Sequence, residues 1–202
     1  MPDWFSFPDV QDPEFARAAL RLGVSPLDIE TSLNSRPIIG LTESVGYLCV
    51  RLFAEGPVTV LLGKTWIIST WSEKENARPD EGLLHVLESV TAGYQALVES
   101  SGDVVQLVKL RQILKDTRRV AVALSRSENV LLRRDLRGAW RRIAGELRNG
   151  LHSVEVRLTA LRIEERRRLA TARERTQKLL LSLNILAAAI MAIELLRLLL
   201  RR

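Results

Sequence analysis

The spacing of apolar residues changes several times along the chain, and each change predicts a different element. Over 13–22 the apolar residues recur at helical spacing, and Gly23 follows where a helix cap is expected. Ser25 followed by Pro26 is typical of the start of a second helix, which must end before Pro37. The chain is therefore predicted to open with two short helices.

Three runs rich in β-branched and aromatic residues follow, at 47–53, 58–62 and 65–70. Their composition and the turn residues between them predict three antiparallel strands. Gly63 and Lys64 separate the last two runs, and glycine at the first central position is typical of a type II′ turn. The sequence thus predicts a short antiparallel sheet.

The chain contains no proline after Pro79 and few glycines, so the rest of it is free to be almost wholly helical. Apolar residues at helical spacing predict a helix over 81–99, and Asp103 is placed to cap the next one. We expect these two helices to form a hairpin at 79–127, following an α/β head at 1–78.

A third helix is predicted from near Glu128 to Arg202, because nothing between them would break it. At about 1.5 Å per residue it would extend on the order of 100 Å. Apolar residues step by threes and fours along its first half, a pattern typical of coiled-coil packing. They are Leu136, Trp140, Ile143, Leu147, Leu151, Val154, Leu158 and Leu161.

The end of this helix changes abruptly from basic to apolar. We call the basic part the collar, and its residues are Arg166, Arg167, Arg168, Arg173, Arg175 and Lys178. Residues 179–193 then carry no charge, and the run reaches 200 if Glu194 and Arg197 pair with each other. This order predicts a basic stalk helix at 128–178 and a candidate transmembrane helix at 179–200.

The position of the collar favours a cell-membrane protein with a cytoplasmic head, because cationic residues accumulate on the cytoplasmic side and attract anionic lipid. A soluble helical-bundle tail is the alternative, since a span needs roughly 20 apolar residues. The predicted fold class is α+β: a small α/β head, a helical hairpin and a very long C-terminal helix that enters the membrane.

The net charge and the residues capable of metal binding or catalysis make some classes of function less consistent with the sequence. The net charge of +6 comes largely from arginines after Arg118. The possible zinc ligands His85, His152 and Cys49 lie on separate elements, so the sequence lacks the ligand spacing of a zinc site. Cys49 is interpreted as a core residue. The sequence also lacks recognisable enzyme motifs. We therefore expect no enzyme and no certain cofactor. Because the basic stripe lacks interleaved aromatic residues, we expect no nucleic-acid partner.

The acidic residues near the collar have two interpretations. Glu164, Glu165 and Glu174 lie among arginines at helical spacing, which favours intrahelical ion pairs. At the mouth of a pore, the same carboxylates could attract cations.

Several short segments follow one another in the order of a known family. They are 4–7 (WFSF), 22–24 (LGV), 36–37 (RP), 47–48 (YL) and 58–70 (VTVLLGKTWIIST). In these segments, and in the order of its elements, the chain resembles the CorA-type divalent metal ion (magnesium/cobalt) transporters over about residues 3 to 193.

The resemblance implies a homopentamer in which five stalk helices line an axial pore for Mg²⁺ or another divalent cation. By helical stepping, the residues expected to face that pore are Glu174, Gln177, Leu180, Asn184, Ala188, Met191 and Leu195. At 174–180 the chain keeps the lysine and leucine of the family pattern Asn-x-x-Met-Lys-x-Leu. The Gly-Met-Asn signature expected near 198–200 and the second membrane helix are absent, so we expect a divergent, shortened member.

Two functions are consistent with these features. The first is a CorA-like membrane oligomer involved in divalent cation transport or its regulation. The alternative is a non-transporting, membrane-tethered helical scaffold that retains the fold.

Overall fold

The computed structural model describes residues 3–33, 39–54, 56–71 and 78–200, with side chains as far as Ile193. The chain forms two compact units, Met1–Val156 and Arg157–Arg202. The predictions for Glu194, Leu195 and Arg197 concern side chains outside the described residues.

The first unit is built around a five-stranded mixed sheet. Its strands are β1 (Asp3–Ser6), β2 (Gly40–Ser44), β3 (Tyr47–Phe53), β4 (Pro57–Gly63) and β5 (Trp66–Ser69). They lie in the order β1-β5-β4-β3-β2, with β1 parallel to β5 and every other pair antiparallel. The three predicted strands are confirmed as β3, β4 and β5.

The three predicted strands are antiparallel as expected, but the two edge strands were not predicted, and one of them, β1, pairs parallel to β5. β1 has only four residues, and β2 contains a single large apolar side chain, Leu41. Neither strand shows the alternation of apolar and polar residues that marks a half-buried strand. Both are held by backbone pairing with β5 and β3, which the local pattern does not report.

The type II′ turn predicted at Gly63 is also wrong. Gly63 is the last residue of β4 and has no positive φ, and the register leaves Lys64 and Thr65 between the strands. A Cβ atom at Gly63 would collide with the indole of Trp66, so glycine is needed here to make room for that ring. The turn that uses a positive φ is at Gly46, between β2 and β3, where φ is 89°.

The described part of the chain also contains six helical segments. They are α1 (Pro13–Arg21), α2 (Pro26–Leu33), α3 (Pro79–Ser100), α4 (Val104–Arg126), a short 3₁₀ turn (Arg134–Leu136) and α5 (Arg137–Leu200). The predicted caps are confirmed. The Asp103 carboxylate accepts a hydrogen bond from the Val105 amide (3.2 Å), and Gly23 has a φ of 81° just after α1.

The last helix begins at Arg137 rather than near Glu128, which corrects the prediction. Two short side chains hold the preceding turn: Ser127 Oγ accepts from the Asn129 amide (3.1 Å), and Asn129 Oδ1 accepts from the Leu131 amide (3.0 Å). These bonds occupy amides that a helix would otherwise use, because Ser and Asn side chains compete with helical hydrogen bonding.

Both faces of the sheet are buried. α1 and α2 pack on one face, where the core comprises Val10, Phe15, Ala19, Val24, Ile29, Tyr47, Cys49, Leu61 and Ile68. α3 and α4 contact the other face, and Cys49 is confirmed as a buried core residue. The start of α5 belongs to the same unit, and its predicted apolar positions Trp140, Ile143, Leu147 and Val154 are buried.

Candidate membrane-entering helix

The second unit is a single helical segment whose described side chains are open to solvent from residue 162 onward. Every described residue from 162 to 193 is exposed. Among them are large apolar residues such as Leu179, Leu181 and Met191, which are 63–66% exposed. A water-soluble protein rarely exposes so long a continuous apolar surface, so this segment requires either a bilayer or other helices as its surroundings.

Length and composition favour the bilayer. Among the described residues, one helix contains an 18-residue window apolar enough to cross a membrane, and none of that window is buried. A helix suits this setting because its backbone groups are bonded internally. The single hydroxyl of the apolar run, on Ser182, donates to the Leu179 carbonyl (2.8 Å), leaving Asn184 as the run's other polar side chain.

The apolar run has two chemically different arcs, because successive residues of a helix are about 100° apart. The large aliphatic side chains Leu179, Leu183, Leu186, Ile190 and Ile193 lie within an arc of about 80°, which we call the aliphatic arc. Five predicted pore-facing residues share a second arc of about 80°, which we call the polar arc: Gln177, Leu180, Asn184, Ala188 and Met191. Their orientation toward an axis stays a prediction.

Glu174, a sixth predicted pore-facing residue, differs from these five. It lies about 40° beyond the edge of the polar arc, and its carboxylate forms an ion pair with Lys178 (2.8 Å). Glu164 similarly pairs with Arg168 (2.5 Å). Both pairs span one helical turn, as the intrahelical interpretation predicts. They are exposed and therefore contribute little stability.

The described residues of the first unit also include possible metal ligands. No group of three or more His, Cys, Asp or Glu side chains is placed to hold a metal ion within the part of the chain that is described. His85 is half-buried on α3, and His152 is exposed on α5. The two histidines are therefore ordinary helix residues in this structure.

Sequence reasoning missed a polar cluster at the start of α3. The buried Asp80 carboxylate accepts from the Arg133 amide (3.3 Å), while the Arg133 guanidinium pairs with Glu81 (2.8 Å) and with Asp135. The hydrogen bond between Arg133 and Asp135 raises the pKa of Arg133 and lowers that of Asp135. The cluster is internally paired, and it ties the turn before α5 to α3. Only Arg133 and Asp135 are close enough in sequence for the local pattern to have suggested an ion pair.

Sequence comparison finds no match, whereas comparison of structures finds proteins of similar fold. No family model and no curated protein sequence matches the chain. The complete structure of the CorA magnesium transporter from Methanocaldococcus jannaschii matches with a TM-score of 0.72 and 14% identity, over 88% of this chain and 72% of that one.

Two further structures show the same likeness. The full-length CmaX protein matches with a TM-score of 0.67 and 19% identity, over 88% of this chain and 71% of that one. The ZntB cytoplasmic domain from Vibrio parahaemolyticus matches with a TM-score of 0.68 and 11% identity, over 85% and 89%. The predicted resemblance to CorA is therefore confirmed as a likeness of fold, and the divergence is confirmed by the low identities.

Proposed function

We propose that the protein is a membrane-inserted homo-oligomer of CorA-like architecture that conducts ions or regulates their passage. The observation that carries the proposal is the exposed apolar end of α5, preceded by the basic collar, on a fold shared with the CorA magnesium transporter. A single copy leaves this helix uncovered, whereas several copies in a bilayer would cover both of its arcs.

The two arcs support this arrangement. The aliphatic arc suits lipid tails, and the polar arc carries Asn184, the amide within the apolar run. Polar side chains in membrane helices generally face the interior of a helix bundle. An assembly with its polar arcs inward would satisfy both preferences, and the resemblance to the CorA-type transporters implies five copies.

The charge distribution supports a cytoplasmic orientation of the first unit. The collar lies immediately before the apolar run, and cationic side chains next to a membrane helix are retained on the cytoplasmic side. Anionic lipid headgroups would then lie against the outward-facing residues of the collar, each of which contributes about 1 kcal/mol of attraction.

Membrane insertion is tested by placing charge on the aliphatic arc. The double variant Leu183→Glu/Ile190→Glu should move from the membrane fraction to the soluble fraction, because each carboxylate at the centre of a membrane helix costs several kcal/mol. Leu20→Glu/Leu27→Glu is the matched control, since those leucines are 53% and 70% exposed on α1 and α2. Cell fractionation followed by alkaline washing of the membranes makes the measurement.

Two results of this experiment would contradict membrane insertion. Wild-type protein that stays soluble, or an aliphatic-arc variant as firmly membrane-bound as the control, would contradict membrane insertion. A membrane-bound oligomer without any ion flux in liposomes would favour the non-transporting scaffold.

A further inference from the structure

A stripe of arginines continues the polar arc on the N-terminal side of the apolar run. Arg162, Arg166 and Arg173 lie within an arc of about 40°, and all three side chains are exposed. The helical stepping that aligns them also places Leu180, Asn184 and Met191 on the same line, since the helix is uninterrupted between them. The face that carries the polar arc is therefore strongly cationic where it meets the collar.

The stripe carries uncompensated charge. Among the described residues, no ion pair joins Arg162, Arg166 or Arg173 to an acid. Glu155 lies on the same line two turns earlier but pairs with Arg111, and Glu165 is about 60° from Arg162. The paired acid Glu164 lies elsewhere and binds Arg168.

The rest of the collar occupies a different arc. Arg167, Arg168, Arg175 and Lys178 lie about 100° or more from the centre of the stripe, and two of these four cations are already paired with carboxylates. Two collar residues, Arg166 and Arg173, thus belong with Arg162 to an unpaired stripe on the polar side, and the other four form a partly neutralised group on the other side. This second group is the one placed to meet lipid headgroups.

We propose that the axial path of the assembly admits inorganic anions and excludes divalent cations. The inference rests on the proposed oligomer, in which the polar arcs face inward and each arginine of the stripe repeats as a ring. Three rings would follow one another over roughly 17 Å of helix. Rings of arginine or lysine favour anions in pores, as rings of carboxylates favour cations.

The guanidinium group further narrows the class of anion. Its fixed pair of N–H donors matches two oxygens of one oxyanion, so phosphate or sulfate should bind the stripe more strongly than chloride does. A divalent cation would meet repulsion at each ring, and a narrow path with walls of low dielectric constant would strengthen that repulsion.

Ion flux in liposomes tests this inference. The full chain is reconstituted with an entrapped dye for chloride or for Mg²⁺, and sulfate is added as a competitor. We expect chloride to enter at least about tenfold faster than Mg²⁺, in line with the effect of a charged cleft on local ion concentration. Sulfate should slow chloride entry by occupying the stripe.

The controls use the two sides of the collar. Arg162→Gln/Arg166→Gln/Arg173→Gln should remove the preference for chloride and the inhibition by sulfate. Arg167→Gln/Arg168→Gln/Arg175→Gln loses the same charge from the other arc and should retain both properties. Equal effects of the two triple variants would overturn the inference.

The remaining outcomes separate this inference from the proposed function. An oligomer that passes Mg²⁺ more readily than chloride, or that passes neither ion, overturns the anion path and leaves the membrane oligomer standing. A protein that is monomeric in lipid overturns both.

Discussion

Tyr94 links three elements of the first unit through one hydroxyl. It donates to the Phe53 carbonyl at the end of β3 and lies 3.3 Å from Thr117 Oγ1 on α4. The ring is buried, and this burial raises the pKa of Tyr94 to about 12. Folding therefore favours the protonated hydroxyl, which connects a single residue to the alkaline limit of stability.

The raised pKa of Tyr94 predicts a loss of stability at high pH. An unfolded tyrosine ionises near pH 10, so the contribution of Tyr94 is complete below about pH 10 and is lost as the pH rises toward 12. Tyr94→Phe should lower the free energy of unfolding at pH 8 by about 1–3 kcal/mol, because the Phe53 carbonyl loses its donor. It should also flatten the alkaline decline.

Chemical denaturation between pH 8 and 11 measures both effects. Burial also raises the pKa of Cys49 to about 11, so both proteins should carry Cys49→Ala to isolate the tyrosine. Parallel pH curves for the two proteins would contradict the role of Tyr94.

At the scale of elements, side-chain bonds define where α5 begins. Asp80, which is only 4% exposed, holds the Arg133 amide in the turn that precedes the helix. The link joins residues 53 positions apart. The turn is thus fixed by tertiary contact with α3 as well as by its own Ser127 and Asn129.

Replacing Asp80 should loosen this connection. Asp80→Ala leaves the Arg133 amide without its carboxylate acceptor, and we expect the free energy of unfolding to fall by about 1–3 kcal/mol. Asp135→Ala removes an exposed partner of Arg133 and should cause a smaller loss. Denaturation curves compare the two variants, and equal losses would show that the buried bond has no special role.

The elements that could be predicted are those with a strong local signal. α1, α3 and α4 show helical periodicity together with a cap or an opening proline, and β3 to β5 are rich in β-branched residues. β1 and β2 could not be predicted, because pairing with distant strands holds them in place. Gly63 was recognised as special, but the reason is the indole of Trp66 packed against it, which only the tertiary structure reveals.

At the scale of the whole molecule, two kinds of surface occur in one chain. The first unit buries both faces of its sheet, whereas the second leaves every described side chain of 162–193 exposed. The sequence predicted the apolar end of α5 and its collar because both are continuous in the chain. It did not separate the unpaired arginine stripe from the rest of the collar, since that requires the helical angles and the ion pairs together.

The fold likeness and the exposed helix support one central claim, an assembly in the membrane with polar arcs inward. Cross-linking through single cysteines tests it most directly, because Cys49→Ala removes the one native cysteine. In that background, Met191→Cys lies on the polar arc and Ile190→Cys, one residue earlier, lies on the aliphatic arc. Oxidation in membranes should join copies of the Met191→Cys protein and leave the Ile190→Cys protein monomeric on denaturing gels. Cross-linking of the Ile190→Cys protein alone, or of neither, would contradict the claim.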